Sequence, residues 1–518
     1  METSLENVEF DVIIVGGGMA GIAAAQQLLQ NGVNNILVLE AQDYLGGRIK
    51  TINTEYGHLD LGAEWIHGQT GNPLYDIAVE NRLVHNRNQS SYISPSSASI
   101  YDVHEFRTEN GSLINRNIVC QVSKAMEDLY CKSINSAPKE CQQITDIISE
   151  IEPSKFEKAI SRNFMTKSFA THYSEGFDEY LESCENTDYD IQKALYKWRL
   201  KWELGDNCCA SLDDVAFPGR YIMCEGHGIT DLKFGFGSVF DVLKKDIPKQ
   251  KVALRKPVKV IKWKKRNICS VECFDGSVYK SKHVIVTVPI GYLKDHMTSM
   301  FCPSLPDKKI HAIQNVGFST LVKVFLAWNK PFWCESYSGV QFVWTSDAMQ
   351  EQLQTEIGKQ GTTKMLKVDG NPWYLDITGF ERCTGRPNVL CGWLVGEGAE
   401  LSTTLSDIDV SKVCTRLLQC FCGDEDIQEP DNIYRSQWQS NQFIGGGYSY
   451  VSTRTQDGDF EALCESLPSN QNPRLLFAGE ATSYNFYSTA HGAYETGIRA
   501  ARTIITLKQE SKEPTINL

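Results

Sequence analysis

The chain has 518 residues, enough for two or three domains, and a hydrophobic content of 42% with 22% charged residues is typical of globular proteins. Its net charge of −13 argues against general nucleic-acid binding and suits a cationic small-molecule substrate. The 17 cysteines contain no Cys-x-x-Cys pair and the 10 histidines no paired ligand pattern, so we expect free thiols and no metal site.

The N-terminus, METSLENVEFDVIIV, lacks a basic region followed by an apolar run, so we expect no signal peptide. No stretch approaches the roughly 20 apolar residues that a membrane-spanning helix needs. A cytoplasmic protein without a membrane partner is therefore predicted. A peroxisomal or nuclear location is left open, because the C-terminal Ile516-Asn517-Leu518 is only distantly similar to a peroxisomal Ser-Lys-Leu address.

Residues 11–40, DVIIVGGGMAGIAAAQQLLQNGVNNILVLE, predict a strand, a glycine-rich turn, a helix and a second strand that ends in an acid. Gly16, Gly18 and Gly21 allow a tight turn, close approach of a pyrophosphate and close packing of the helix, respectively. Glu40 is placed to accept a hydrogen bond from a ribose hydroxyl. Together these features predict a Rossmann-like dinucleotide site.

A second pair of glycines, Gly46 and Gly47, precedes Arg48 and lies outside the fingerprint of NAD enzymes. This pattern resembles the motif that continues along the cofactor in two-domain flavoproteins, which favours FAD. The resemblance places Arg48 near the pyrophosphate, because a guanidinium group is a bidentate partner for phosphate oxygens.

Further elements are predicted along the middle of the chain. DIQKALYKWRLKWEL (190–204) is typical of a helix, KPVKVIKW (256–263) of a short strand, HVIVTVPIGYL (283–293) of a buried strand entering a proline turn, and WYLDITGF (373–380) and VLCGWLVG (389–396) of sheet strands.

TLVKVFLAW (320–328) predicts a buried strand with a lysine in its middle. Lys323 shares a face with Leu321 and Phe325, because side chains alternate along a strand. Burial of an unpaired ammonium is costly, so such a lysine reaches solvent, pairs with a carboxylate or has a function. The strand alone leaves these alternatives open.

FAGE (477–480) predicts a late strand that ends in glycine and acid, and AYETGIRAARTIITL (493–507) has helical periodicity. A helix N-terminus at this point of the chain can face a flavin ring. Its positive dipole end would favour the negative charge of a reduced flavin.

Three further stretches, LGAEWIHGQTGNP (61–73), PFW (331–333) and LLFAGEATSYNFYSTAHGAYETGIRAA (475–501), resemble the flavin-dependent amine oxidase family and its polyamine oxidase branch. The resemblance implies an α/β fold in which a Rossmann-like FAD-binding domain is interleaved with an α+β substrate domain. FAD-binding segments are expected at 1–85, 213–295 and 435–510, a helical substrate segment at 86–212, a sheet segment at 296–434, and a disordered tail at 511–518.

The resemblance also implies which residues contact FAD. We predict that the cofactor is bound noncovalently, because Gly447 stands where monoamine oxidases carry the cysteine that bonds to it. Val258 is expected to contact the adenine through its backbone, although the residues alone fit an ordinary edge strand nearly as well. The predicted cofactor-binding residues are Gly16, Gly18, Ala20, Gly21, Glu40, Gly47, Arg48, Glu64, Trp65, Val258, Glu480 near the ribityl and phosphate side, and Thr489 and Ala490 at the flavin ring.

Two residues are expected to be catalytic. In this family a lysine on the matching strand holds a water near flavin N5, and the resemblance gives that role to Lys323, with a structural salt bridge as the alternative. His67, in Trp65-Ile66-His67-Gly68, matches the histidine that positions the substrate amine, and a histidine suits proton handling near neutral pH.

The resemblance implies an aromatic pair that flanks the amine, since such walls stabilise a cationic amine and align its carbon. Tyr448 matches one wall, and Thr489 stands where monoamine oxidases have the second, which favours a long polyamine. Glu203 and Asp206 are expected to be acidic anchors for the substrate, with Glu225 a weaker candidate.

The predicted activity is oxidation of spermine or N1-acetylspermine by oxygen at the carbon next to a secondary amine, giving spermidine, an aminoaldehyde and hydrogen peroxide. An oxidase of another amine, and a catalytically silent flavin-binding polyamine sensor or scaffold, are the alternatives. Monoamine oxidases, histone demethylases and secreted L-amino-acid oxidases fit less well, because a membrane tail, a coiled-coil insertion and a signal peptide are not found. We expect a monomer or weak homodimer.

Overall fold

The computed structural model describes residues 9–85, 100–135, 167–184, 188–217, 224–225, 228–264, 268–359 and 369–510. The helices are α1 (Met19–Gln30), α2 (Pro73–Glu80), α3 (Ile100–Val103), α4 (Arg116–Asn135), α5 (Phe169–Ser183), α6 (Tyr189–Asn207), α7 (Gly237–Lys244), α8 (Ile290–Met300), α9 (Asp307–Asn315), α10 (Asp347–Lys359), α11 (Gly396–Thr404), α12 (Asp407–Cys422), α13 (Asp459–Cys464) and α14 (Ala490–Glu510), with 3-10 turns at Lys249–Lys251, Trp373–Asp376 and Glu480–Thr482.

The strands are β1 (Glu9–Val15), β2 (Ile36–Leu39), β3 (Thr51–Thr54), β4 (Gly57–Asp60), β5 (Ile66–His67), β6 (Glu105–Thr108), β7 (Ile229–Thr230), β8 (Val252–Ala253), β9 (Val258–Lys262), β10 (Cys269–Cys273), β11 (Val278–Val286), β12 (Phe301–Cys302), β13 (Gly317–Phe318), β14 (Leu321–Ala327), β15 (Gly339–Val343), β16 (Gly379–Arg382), β17 (Val389–Val395), β18 (Asn432–Arg435), β19 (Ser449–Tyr450) and β20 (Leu475–Phe477).

An eight-stranded sheet contains the dinucleotide fingerprint. Its order is β12-β9-β10-β11-β1-β2-β8, and β20 pairs with the second half of β11. Strand β1 is parallel to both β2 and β11, and its side chains are buried on both faces. Val12 and Ile14 pack against α1, α7 and α14, while Ile13 and Val15 pack towards α8 and α9. This is the buried central strand that a Rossmann-like α/β fold requires.

A six-stranded sheet contains the strand with the buried lysine, in the order β18-β14-β17-β16-β15-β6. Every residue of β14 is buried. Val322, Val324 and Leu326 pack into the apolar core under α11 and α12, and Lys323 lies on the opposite face, as predicted from the alternation. The face of the six-stranded sheet that carries Lys323 is directed towards the eight-stranded sheet, across the cavity that residues of both sheets line.

The predicted elements agree with the structure except in three details. Residues 373–376 form a 3-10 turn after Pro372, because all of Trp373, Tyr374 and Leu375 pack inward, and the strand begins only at Gly379. The late strand ends at Phe477, two residues before Gly479 turns the chain at a φ of +127°. Strand β9 pairs with β10 and β12, so it is not an edge strand.

The two sheets take their strands from alternating parts of the chain. The eight-stranded sheet uses residues 9–39, 252–302 and 475–477, and the six-stranded sheet uses 105–108, 321–395 and 432–435. Two interleaved layers therefore form the α/β fold. The predicted segment boundaries remain predictions, and the tail at 511–518 lies outside the described residues.

Three findings concern the described residues only. No helix among them is long and apolar enough to cross a membrane. Within those same ranges, no group of three or more His, Cys, Asp or Glu side chains is placed to hold a metal ion. The cysteines described there are free thiols.

Candidate active site

A cavity of about 570 Å³ is lined by residues of both sheets. Glu40 and Val258 line it on the side of the nucleotide fingerprint, and Lys323, Trp393 and Tyr448 line it on the side of the six-stranded sheet. The cavity therefore joins the predicted cofactor site to the predicted catalytic lysine.

The glycine turn between β1 and α1 leaves a space beside the backbone that larger side chains would fill. Gly16 has a φ of +110°, and a Cβ there would collide with the Thr287 hydroxyl. A Cβ on Gly21 would collide with the Gly16 carbonyl oxygen, so the start of α1 packs directly on the turn. At Gly18 a Cβ would have the Gly46 carbonyl oxygen as its nearest neighbour, at 3.8 Å. Open space therefore remains beside the first N–H groups of α1, where a pyrophosphate is stabilised.

Glu40 is fixed at the end of β2 by backbone donors. The Gly17 N–H donates to its Oε2 at 2.6 Å and the Gln42 N–H to its Oε1 at 2.8 Å. Burial raises the pKa of this carboxyl group, and these hydrogen bonds oppose the rise. The side chain lines the cavity close to Val258, where a ribose and an adenine would lie.

Arg48 occupies the middle of the cavity wall. Its Nη1 donates to the Gly447 carbonyl oxygen at 2.6 Å and to Glu480 Oε1 at 3.0 Å. Glu480 is itself held by the Ser449 hydroxyl and the Ser488 N–H. Among the described residues no other group accepts from Arg48, so its remaining guanidinium N–H groups can bind phosphate oxygens.

These features fit a dinucleotide with its pyrophosphate between the glycine turn and Arg48. Ala20, Gly47, Thr489 and Ala490 also line the cavity. Thr489 caps α14, because its hydroxyl accepts from the Gly492 N–H at 3.0 Å and donates to the Phe486 carbonyl oxygen at 2.7 Å. The N-terminus of α14 therefore faces the cavity, in the position that the sequence predicts for the ring of a flavin.

Lys323 is 1% exposed and makes three hydrogen bonds. Its Nζ lies 2.5 Å from Glu64 Oε2, 3.0 Å from the Asp60 carbonyl oxygen and 2.9 Å from the Gly62 carbonyl oxygen. An ammonium has three hydrogens, and three acceptors are already present. The structure thus contains the salt bridge that was the alternative for Lys323, and the water-holding role stays a prediction that needs one acceptor to give way.

Two tryptophans surround this ammonium group. Trp65 and Trp393 are stacked with ring centroids 5.5 Å apart, and Lys323 Nζ lies 4.5 Å from the Trp393 ring centroid. Trp393 lines the cavity because it is the cross-strand partner of Lys323 on β17. Trp393 was not predicted from the sequence, since only the pairing of β14 with β17 brings it beside the lysine.

His67 lines the cavity at the end of the short strand β5. Its carbonyl oxygen accepts from Asn72 Nδ2 at 2.8 Å, and the Asn72 side chain also caps α2. Burial lowers the pKa of His67 to about 4, so its ring is neutral near pH 7. His491 lies close enough for the two rings to repel each other when charged.

Tyr448 lines the cavity, and its hydroxyl donates to the Gly205 carbonyl oxygen at 2.8 Å. This bond ties the tyrosine to the last turn of α6, where Lys201, Trp202, Gly205 and Asp206 also line the cavity. Asp206 is therefore placed where a substrate anchor was expected.

Glu203 is not part of the cavity lining. It is fully buried on another face of α6, 2.6 Å from Arg199 and 3.4 Å from the Tyr173 hydroxyl. Glu225 is exposed, and its carbonyl oxygen accepts from the N–H groups of Gln69 and Thr70. The expected anchor role of these two acids does not fit their positions, because neither carboxylate lines the cavity.

Other acids and one histidine of the lining were missed from the sequence. They are His104, Asp231, Asp376 and Glu381. They come from three separate parts of the chain, and no local motif marks any of them.

The fold and the glycine turn define a dinucleotide-dependent oxidoreductase. Its cofactor site opens into an aromatic chamber, which is the part of the cavity lined by Trp65, Trp393 and Tyr448. The family model for flavin containing amine oxidoreductases matches residues 19–505. The peroxisomal N(1)-acetyl-spermine/spermidine oxidase of Bos taurus is 31% identical over 527 residues, which cover 96% of this chain and 94% of the relative. The human protein of that name is 30% identical and covers 96% and 95%.

A solved structure of a redesigned double mutant of putrescine oxidase shares the fold, with a TM-score of 0.64 at 16% identity, and covers 96% of this chain and 99% of that one. The chain belongs to the flavin containing amine oxidoreductase family. It is an FAD-dependent oxidoreductase that acts on amines.

Proposed function

We propose that this protein is a polyamine oxidase that converts spermine or N1-acetylspermine to spermidine, an aminoaldehyde and hydrogen peroxide. The observation that carries the proposal is the chamber at the end of the cofactor site. It combines stacked tryptophans, a neutral histidine and several carboxylates, which suits a flexible chain with more than one cationic nitrogen. The names of the two mammalian relatives support the same substrate class.

FAD, when bound, takes two electrons from the amine and passes them to oxygen. His67 contributes as a neutral hydrogen-bonding group, because a ring with a pKa of about 4 is too weak a base to hold the proton of an alkylammonium. We assign it the role of orienting the reacting amine. Tyr448 and Trp393 supply aromatic surface that holds the chain beside the cofactor.

Lys323 has its three hydrogens directed to protein acceptors. Two of these acceptors are backbone carbonyl groups of Asp60 and Gly62, which are fixed by the chain, and the third is the Glu64 side chain. If Lys323 holds a water beside the flavin, Glu64 is the partner that turns away. Glu64 contacts Lys323 in the structure, and its contact with FAD stays a prediction.

Noncovalent binding of FAD is also part of the proposal. Gly447 has no side chain to bond to the flavin, and a Cβ there would collide with the Cys208 sulfur. Denaturation in acid is expected to release all of the flavin into the supernatant. Flavin that stays with the precipitated protein would contradict this.

The function is tested by anaerobic titration of the purified holoenzyme with spermine, N1-acetylspermine and, as a control, a simple alkyl monoamine. Bleaching of the flavin by a polyamine, and peroxide formation when air is admitted, is the expected result. Bleaching by the monoamine alone would favour an oxidase of another amine. A flavin that no amine bleaches, in a protein that binds spermine, would favour a sensor or scaffold.

We propose a cytoplasmic location, with a peroxisomal or nuclear location as the alternatives; the two mammalian relatives are named as peroxisomal oxidases. Fluorescent fusions with and without the last three residues would distinguish these locations. Light scattering of the purified holoenzyme tests the expectation of a monomer or weak homodimer.

A further inference from the structure

Glu381 lies on the same face of the six-stranded sheet as Lys323. On β17, Trp393 pairs with Lys323 of β14, and Cys391 pairs with Glu381 of β16. Since Cys391 and Trp393 are two residues apart, they share a face, and Glu381 shares it with them. Two strand spacings and two residues along the strand place Glu381 roughly 12 Å from Lys323, measured between Cα atoms.

Glu381 is open to the cavity, and no Lys or Arg of the described residues forms an ion pair with it. Its side chain keeps 27% of its surface, and it belongs to the cavity lining. In the part of the chain that the structure describes, the one basic side chain near its carboxylate is His104, whose Nδ1 is 4.0 Å from Glu381 Oε1. Burial lowers the pKa of His104 to about 4, so this ring carries no charge near pH 7.

The neighbours of Glu381 hold it in place without neutralising it. Gln341 Nε2 lies 3.0 Å from His104 Nδ1, and the Gln341 side chain is near enough to Glu381 to oppose the rise in the pKa of that carboxyl group. The side chain of His104 is completely buried and lines the cavity, and its Nε2 has no partner among the described residues. The Glu381 carboxylate and the His104 ring thus lie side by side in the cavity wall.

We propose that Glu381 is the subsite for a second ammonium group of the substrate, and that His104 and Gln341 position its carboxylate. This inference rests on the proposed polyamine oxidase function and names the anchor that Glu203 does not provide. An amine that reacts beside Lys323 and Trp393 leaves the rest of its chain in the chamber. A cation three or four methylenes away would then meet Glu381, whose carboxylate has no counterion among the residues that the structure describes.

The test compares two ligands of equal length: spermine, and an analogue in which the distal ammonium groups are replaced by methyl groups. Binding to the holoenzyme, with its flavin reduced by dithionite beforehand so that no amine is oxidised, is measured anaerobically by calorimetry for the wild type, Glu381→Gln and the control Glu105→Gln. Glu105 is a matched control because it lies on β6 next to His104 but pairs with Arg107 outside the cavity. Flavin bleaching is recorded separately with the same ligands.

Glu381→Gln is expected to weaken spermine binding by about tenfold to a hundredfold, with little change for the analogue without distal charges. Glu105→Gln is expected to leave both affinities as in the wild type. Equal losses for the two ligands, or no loss for either, would overturn the proposal. Calorimetry needs no turnover, whereas flavin bleaching does. The proposal for Glu381 and the proposed oxidase function can therefore be refuted independently of each other.

A wild-type measurement covers the case in which Glu381→Gln does not fold. Burial and the nearby charge of Glu64 raise the pKa of Glu381 to about 7. Below that pH the carboxylate must lose a proton before it binds a cation, so the preference for spermine over the analogue should fall by up to about tenfold per pH unit. A preference that is constant between pH 5 and pH 8 would contradict the assignment.

Discussion

The Lys323 ammonium and the Glu64 carboxylate lie 2.5 Å apart in the wall of the cavity, with the lysine almost fully buried. The same ammonium donates to the backbone carbonyl groups of Asp60 and Gly62, which end the hairpin strand β4 and begin the next turn. The pair therefore joins strand β14 to the chain segment that carries His67.

We expect Lys323→Met to destabilise the holoenzyme by about 3–5 kcal/mol, because Glu64 would be left charged and unpaired. The double variant Lys323→Met with Glu64→Gln should recover much of that free energy of unfolding, without recovering activity. Urea denaturation followed by flavin fluorescence measures the stability of all variants. A double variant no more stable than Lys323→Met alone would show that the pair is energetically unimportant.

His67→Leu is expected to lower kcat/KM by about tenfold to a hundredfold, because the amine loses one hydrogen-bond partner. His67→Gln, which keeps such a group, should lose less. The pKa of His67 is lowered to about 4, so the ring gains a proton only near that pH. The pH profiles of all three proteins should therefore have the same shape between pH 6 and pH 9. An inflection in this range that both variants abolish would mean that His67 exchanges a proton during turnover.

Glu40→Ala removes the acceptor for the Gly17 N–H and the predicted partner of the ribose. FAD should bind about tenfold to a hundredfold more weakly, measured by fluorescence titration of the apoprotein. Asp43→Ala is the control, because Asp43 is exposed and is paired only with Arg255 at 3.4 Å in the described region. Equal affinity of the Glu40→Ala and control variants for FAD would refute this role of Glu40.

Gly447→Ala should cost about 1–3 kcal/mol of stability, because the new methyl group would collide with the Cys208 sulfur. Cys208 has a φ of +48°, a conformation that glycine adopts without strain, so Cys208→Gly provides room at little backbone cost. The double variant is expected to be more stable than the sum of the two single changes predicts. A double-mutant cycle from thermal denaturation gives the coupling, and simple additivity would argue against the contact.

The nucleotide half of the site was predictable from sequence because its parts are close along the chain. The turn at Gly16, the packing of Gly21 and the acid at Glu40 all belong to one strand, helix and strand, and local sterics fix their arrangement. The strand with Lys323 was predictable for the same reason, since alternation along β14 needs no knowledge of its neighbours.

The substrate half was predicted less well because its residues meet only across elements. Glu203 and Asp206 are three positions apart on α6, yet one is buried against Arg199 and the other lines the cavity. Which face of a helix turns towards a cavity depends on its packing against distant strands. The sequence shows that α6 carries acids near its C-terminus but cannot say which of them faces the substrate.

The sequence by itself determined the dinucleotide fold, the buried lysine and the family, since these depend on short-range patterns of glycines, apolar residues and a few motifs. Only the tertiary structure decided that Glu64 pairs with Lys323, that Trp393 lies beside the ammonium, and that Glu381 lines the cavity with no counterion in the described part of the chain. The physical reason is strand register. A shift of one residue in the pairing of β14, β17 and β16 would turn a different set of side chains to the cavity.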